Sequence, residues 1–244
     1  MFEIKMNKMK KPFAIAMLLL MTIAVYGQEN AEENKAQEGQ NAFVGHHTRA
    51  YAIATKYGDS DMAKTALYNM LAAYPGNDSL LYSLSYLYFQ SQKYASAVLS
   101  AQDILARNPD HLGALELSGA GYESLGLKDK SLAAYETLYL KTTEYQTLYK
   151  ITFLQFDMER LKECMTNVDI LLTKPESDSL KVYYATEDNQ QKEYPIKVSL
   201  LNLKGLISQK YGDKDSAKKY FQQALDIAPD FALAKENMES LNKK

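Results

Sequence analysis

The sequence predicts an all-α fold, a right-handed α-solenoid of about five helix–turn–helix units plus a C-terminal capping helix. Three observations predict it. Small and aromatic residues recur every 34 positions. Apolar residues inside each repeat follow the helical period. Prolines stand where a second helix must stop, because proline lacks an N–H and clashes with a continuing helix. The small-residue column is Ala63, Ala97 and Ser131 at steps of 34, continued one residue early by Cys164. Leu71, Leu105 and Tyr139 keep the same step, as do Tyr88, Tyr122 and Phe156. Pro75 and Pro109 repeat it, Gly58 and Gly126 lie two steps apart, and Ala217, Leu225 and Pro229 restore the internal spacings near the C-terminus.

The elements follow in chain order. Residues 1–27 read as a signal peptide: Lys5, Lys8, Lys10 and Lys11 precede a charge-free apolar run from Phe13 to Tyr26. That run has 14 residues, short of the roughly 20 a spanning helix needs. Val25 and Gly27 suit a signal peptidase, which puts the mature start near Gln28; an uncleaved inner-membrane anchor is the alternative. No Cys lies there to carry a lipid. Met9 would make a more compact start. Residues 28–44, QENAEENKAQEGQNAFV, read as a flexible polar leader, and residues 45–244 as the solenoid.

Each unit reads as two helices joined by a tight turn. In the second they are SLLYSLSYLYFQ and YASAVLSAQDILA; in the last full unit, SLLNLKGLISQKY and DSAKKYFQQALDIA. Small residues mark the closest approach of the pair: Ser85, Gly119 or Gly205 on the first helix, Ala97, Ser131 or Ala217 on the second. The step from Cys164 to Ala217 is 53 residues, so an insertion of 19 follows Pro175. Within about 176–197, LKVYYA and KEYPIKV are β-prone runs, which predicts a short hairpin or arm, or else an irregular loop. Pro195 limits the second run to an edge. The helix at about 230–243 has Asp230 as its N-cap and a stripe of Phe231, Ala234, Met238 and Leu241, suited to closing the last repeat.

With 46% apolar and 24% charged residues the chain is a folded protein, not a disordered one. Its net charge is −2, and −5 beyond residue 27, so nothing in it offers a footprint for nucleic acid. A single cysteine leaves stability to packing.

These residues resemble the tetratricopeptide repeat family, with its 34-residue helix–turn–helix unit. The matching segments are LSYLYFQ with YASAVLSAQDILARNP, SGAGYESLGLKDKSLAAYETLYL, and KGLISQKYGDKDSAKKYFQQALDIAP. The first unit has Tyr51 where a small residue is usual, and the fourth, LYKITFLQFDMERLKECMTNVDILLTKP, diverges most, with a turn one residue short. The family's leading Trp is replaced by Leu81, Leu115 and Leu201. The resemblance covers residues 45–244. It implies a scaffold that binds partners rather than an enzyme. The family's clamp for chaperone C-termini uses Lys and Asn, and Thr48, Ala52, Tyr82, Tyr86, Glu116 and Ala120 stand in its place, so that function is not implied.

No residue set points to catalysis, a cofactor or a metal. His46, His47 and His111 lack accompanying ligands at suitable spacing, and Cys164 occupies a small-residue core position. The candidate site is a groove lined by first helices. The second unit's first helix is apolar nearly all round. Leu81, Leu84 and Tyr88 supply its core face, while Tyr82, Tyr86 and Phe89 make a second stripe of interface-type residues. Steps of 34 give Thr48, Ala52 and Thr55 before it, then Glu116, Ala120 and Glu123, then Lys150, Leu154 and Asp157; the last unit supplies Asn202, Leu206 and Gln209. The opposing reading is that the rings pack against a neighbouring unit or the leader. The expected function is an exported, periplasmic scaffold or adaptor for a protein or peptide, in an envelope assembly or secretion complex. A self-associating structural subunit, a homo-oligomer, and an oligosaccharide-binding module stay open beside it.

Overall fold

A computed structural model describes residues 37–186 and 190–242. The run read as a signal peptide and most of the tract read as a leader lie outside the described residues. The chain divides into two compact units, Met1–Leu87 and Tyr88–Lys244.

The first unit contains α1 (37–56), α2 (Ser60–Ala73) and the start of α3 (Asp78–Gln90). Helix α1 begins inside the tract expected to be a leader up to residue 44. Its first turn, Gln37 to Gln40, holds Gln and Glu, good helix formers, beside Gly39, and Gln40 Nε2 donates to the Ala73 carbonyl at 3.1 Å, tying α1 to the end of α2. Ala54, Ala63, Ala66, Leu67 and Met70 are buried. Asp59 caps α2, accepting from the Met62 N–H at 3.0 Å.

The second unit continues through α4 (Tyr94–Arg107), α5 (Leu112–Ser124), α6 (Lys128–Thr142), α7 (Tyr145–Asp157) and α8 (Leu161–Leu172). A one-turn helix α9 (Glu176–Ser179) and strands β1 (Lys181–Ala185) and β2 (Gln191–Pro195) follow, then α10 (Ile196–Lys210), α11 (Lys214–Ile227) and α12 (Ala232–Asn242). Glycine is what lets the paired helices touch. A Cβ on Gly119 would stand 2.8 Å from Tyr135 Cε1, and one on Gly121 would stand 2.5 Å from Val98 Cγ2. Helix α5 is thereby held close between α4 and α6. In the small-residue column, the Ser131 hydroxyl donates to the Gly119 carbonyl at 2.8 Å, and the Cys164 sulfhydryl repeats that bond to the Thr152 carbonyl at 3.2 Å.

The turn inside each repeat contains a left-handed residue: Gly58 (φ 72°), Gln92 (58°), Gly126 (73°), Glu159 (59°) and Gly212 (80°). The step is 34, 34 and then 33 residues, so the fourth unit is a residue early before its own turn is reached. That turn keeps three residues, 158–160, just as 125–127 do. The shortening lies upstream, where α6 ends in the left-handed Thr143 (φ 52°) and only two residues precede α7. The expected short turn in the fourth unit is therefore a short connection before it.

The insertion forms an antiparallel hairpin, Val182 paired with Tyr194 and Tyr184 with Lys192. It packs down instead of projecting. Alternation turns Val182 and Tyr184 inward, and the Tyr184 and Tyr194 rings meet Phe231 at centroid distances of 5.2 and 5.0 Å. Lys192 pairs with the Asp230 carboxylate, so the hairpin also holds the start of the capping segment. Helix α12 buries Ala234 and Leu241. No helix among the described residues is long and apolar enough to cross a membrane.

Candidate binding face

On α3, Tyr86 is 47% exposed, while Tyr82 and Phe89 are half-buried; Leu84 is in the core. Phe89 packs edge-on against Tyr94 of α4 at 5.3 Å. The aromatic stripe is thus graded, with Tyr86 the ring most available to a partner.

Helix α5 presents the acidic stretch. Glu116 and Glu123 are exposed, and Ala120 between them is partly covered. Lys150, from α7, reaches toward Glu116, its Nζ 3.7 Å from Oε1, and lies 5.0 Å from the Tyr135 ring centroid. Tyr135 comes from α6 and is only 1% exposed. Burial, then the charges of Glu123 and Glu116, raise its phenol well above the ordinary tyrosine range. Four predicted site residues, Glu116, Ala120, Glu123 and Lys150, are therefore close together.

Further along, the expected register fails. Leu154 is buried in the core at 4% exposure. Counting 33 instead of 34 from Glu116, Ala120 and Glu123 leads to Tyr149, Phe153 and Phe156, and these half-buried aromatics form that face of α7. The Tyr149 and Phe153 rings lie 4.8 Å apart, and the Tyr149 hydroxyl shares a 2.9 Å hydrogen bond with Ser199 of α10. Burial foremost raises the Tyr149 phenol, with Tyr184 adding to it. The signal was present in the sequence: Cys164 stands one residue early, and the shift applies to the first helix of its unit as well.

Asn202 is a second correction. It is buried at 6%, with its Oδ1 accepting from Asn237 Nδ2 at 2.9 Å. The capping helix covers this part of the face, and Gln209 likewise meets Ser240 at 3.4 Å. The sequence did not single out Tyr135 beside Glu116, Glu123 and Lys150, because its column is a core column. Among the histidines, His111 caps α5, its Nδ1 accepting from the Ala114 N–H at 3.1 Å. Cys164 is fully buried and burial pushes its thiol up to about 12.

On the second-helix side, Glu136, Leu140, Glu163, Thr166 and Asn167 surround a cavity of about 440 Å³ floored by α7. Leu140 at its edge is 82% exposed.

The tetratricopeptide repeat family model matches residues 198–231, which contain α10, its turn and α11. No curated protein matches the chain. Among solved structures, the fold is similar to that of YrrB, described as a TPR protein with an unusual peptide-binding site. Its TM-score is 0.66 at 12% identity, covering 84% of this chain and 97% of that one. A crystal structure of MamA matches with a TM-score of 0.60 at 18% identity, covering 83% and 96%. A MamA from Desulfovibrio magneticus RS-1 gives 0.60 at 13%, covering 78% and 97%. One tetratricopeptide repeat is thus matched directly, at residues 198–231, and the helix–turn–helix fold along the chain is similar to that of these solved structures.

Proposed function

We propose that this protein is an exported scaffold or adaptor that binds a protein or peptide through the first-helix faces of its repeats. The carrying observation is Tyr86, a large ring left 47% exposed on a first helix whose core contacts are made by other residues. Buried area from a rigid aromatic is the usual source of interface affinity, and no carboxylate clamp competes with it here. The peptide-binding site attributed to YrrB supports the reading by analogy of fold. Export rests on the lysine-flanked apolar run from Phe13 to Tyr26.

Two measurements test it. N-terminal sequencing of material from the native host begins within a few residues of Gln28; recovery of intact Phe13–Tyr26 in the membrane fraction would sink the export half. Affinity capture from the envelope fraction, with wild type beside Tyr86→Ala, identifies partners by their loss in the variant.

The second reading, a self-associating structural subunit, is favoured by Leu140 at 82% and Leu99 at 67% exposure on second helices. Sedimentation separates the two: a monomer at all concentrations supports the adaptor, and concentration-dependent oligomers that Leu140→Lys dissolves support the subunit.

A further inference from the structure

The acidic stretch of α5 has a chemistry of its own, and its interpretation rests on reading the first-helix face as a peptide surface. Glu116, Ala120 and Glu123 recur at helical spacing, so the two carboxylates point from the same side of α5. Glu123 has no ion pair among the described residues. Glu116 has Lys150 at 3.7 Å, longer than a good charge-assisted bond of roughly 2.8 Å.

A third polar group lies behind them. Tyr135 is 1% exposed, yet its hydroxyl has no hydrogen-bond partner among the described residues. The ring crosses α5 at Gly119, next to Ala120. A Cβ there would stand 2.9 Å from Cζ, the carbon that bears the hydroxyl. The missing side chain is what allows the phenol end of an α6 residue to reach the glutamate face of α5. A neutral phenol with free lone pairs, a π-face and an uncompensated carboxylate favour a cation. One already uses the place: the Lys150 ammonium lies 5.0 Å from the Tyr135 centroid.

We infer that Glu116, Glu123 and Tyr135 form a subsite for the basic side chain of a bound peptide, and that Lys150 is the internal cation this side chain displaces. A guanidinium suits it better than an ammonium, since its planar fork can serve two acceptors at once while its face covers the ring.

Anisotropy of fluorescein-labelled hexa-arginine and hexa-glutamate on the mature chain tests this. Hexa-arginine binds and hexa-glutamate does not. Glu123→Gln weakens hexa-arginine by about tenfold and Tyr135→Phe by roughly threefold, the sizes of one charge-assisted and one neutral hydrogen bond. Tyr135→Phe leaves the melting temperature unchanged or raised, because the lost hydroxyl had no partner. Lys150→Met tightens binding severalfold by removing the competitor, and Glu236→Gln, exposed on α12, changes nothing. Hexa-arginine affinity that ignores Glu123→Gln, or that falls with Lys150→Met, would overturn the subsite. So would absence of hexa-arginine binding to the wild type. If Tyr86→Ala still abolishes partner capture in that event, the first-helix reading stands and only the subsite falls. If capture ignores Tyr86→Ala and Glu123→Gln alike, both fall.

Discussion

Phe221 lies against Gly205 so closely that a Cβ on the glycine would stand 2.4 Å from Cε1 of the ring. The same relationship joins Tyr135 to Gly119, 86 residues earlier on both helices. This contact seats the second helix of each of these units on the first.

Gly205→Leu forces α10 and α11 apart, with an expected loss of about 1–3 kcal/mol or more from overpacking a filled site. Repeat arrays pass strain mainly to nearest neighbours. Native-state hydrogen exchange should therefore accelerate in α10, α11 and α12, with the amides around Tyr122 in α5 still protected. Uniform acceleration along the chain would contradict this.

Gln92 adopts a left-handed conformation (φ 58°) at the turn position held by glycine in three other repeats. A non-glycine residue there costs roughly 1 kcal/mol, partly offset by the extra unfolded-state freedom of glycine. Gln92→Gly is expected to stabilise the chain by about 0.5 kcal/mol, read as a higher urea midpoint at unchanged slope. A lower midpoint would show that the side chain of Gln92 contributes more than its backbone strain.

Stability should be lost in alkali. Burial pushes Cys164 from 9.0 up to about 12, and raises Tyr135 and Tyr149 above their ordinary 10.0. A raised folded-state value means the neutral form is the one the fold holds. The contribution is complete below the unfolded values near pH 9 and 10, and declines as pH rises through them toward 12. Urea midpoints should stay level to about pH 9 and fall beyond it, with tyrosinate absorbance rising as unfolding proceeds. The Cys164 thiol should react with a disulfide reagent only after unfolding. Prompt native-state labelling would place it nearer the surface than its 0% exposure allows.

Tyr86→Ala should weaken partner capture by about 2 kcal/mol, the size of an interface hot spot. Thermal stability should change little, since the ring is already 47% exposed. A variant that melts early and still captures its partner would assign the ring to packing.

Much of this protein was legible locally. A 34-residue step in Ala63, Ala97 and Ser131, prolines after second helices, and helical spacing within units are properties of short segments, so they determine the units, their pairing and the turn positions. The excess of 19 residues between Cys164 and Ala217 located the insertion, and the β-prone runs LKVYYA and KEYPIKV pointed to a hairpin or arm, with an irregular loop left open beside it. What covers each face is not local. Asn202 is buried by Asn237, 35 residues on, and the hairpin lies down because Tyr184 and Tyr194 find Phe231. The Tyr135 ring lies against α5 because Gly119, on another helix, carries no side chain to hold it off. The α7 face changed from Lys150, Leu154 and Asp157 to Tyr149, Phe153 and Phe156 because one residue lost before the helix rotates every later side chain by about 100°. Periodicity determines which residues share a helix face; only packing between helices decides which of those faces meets solvent.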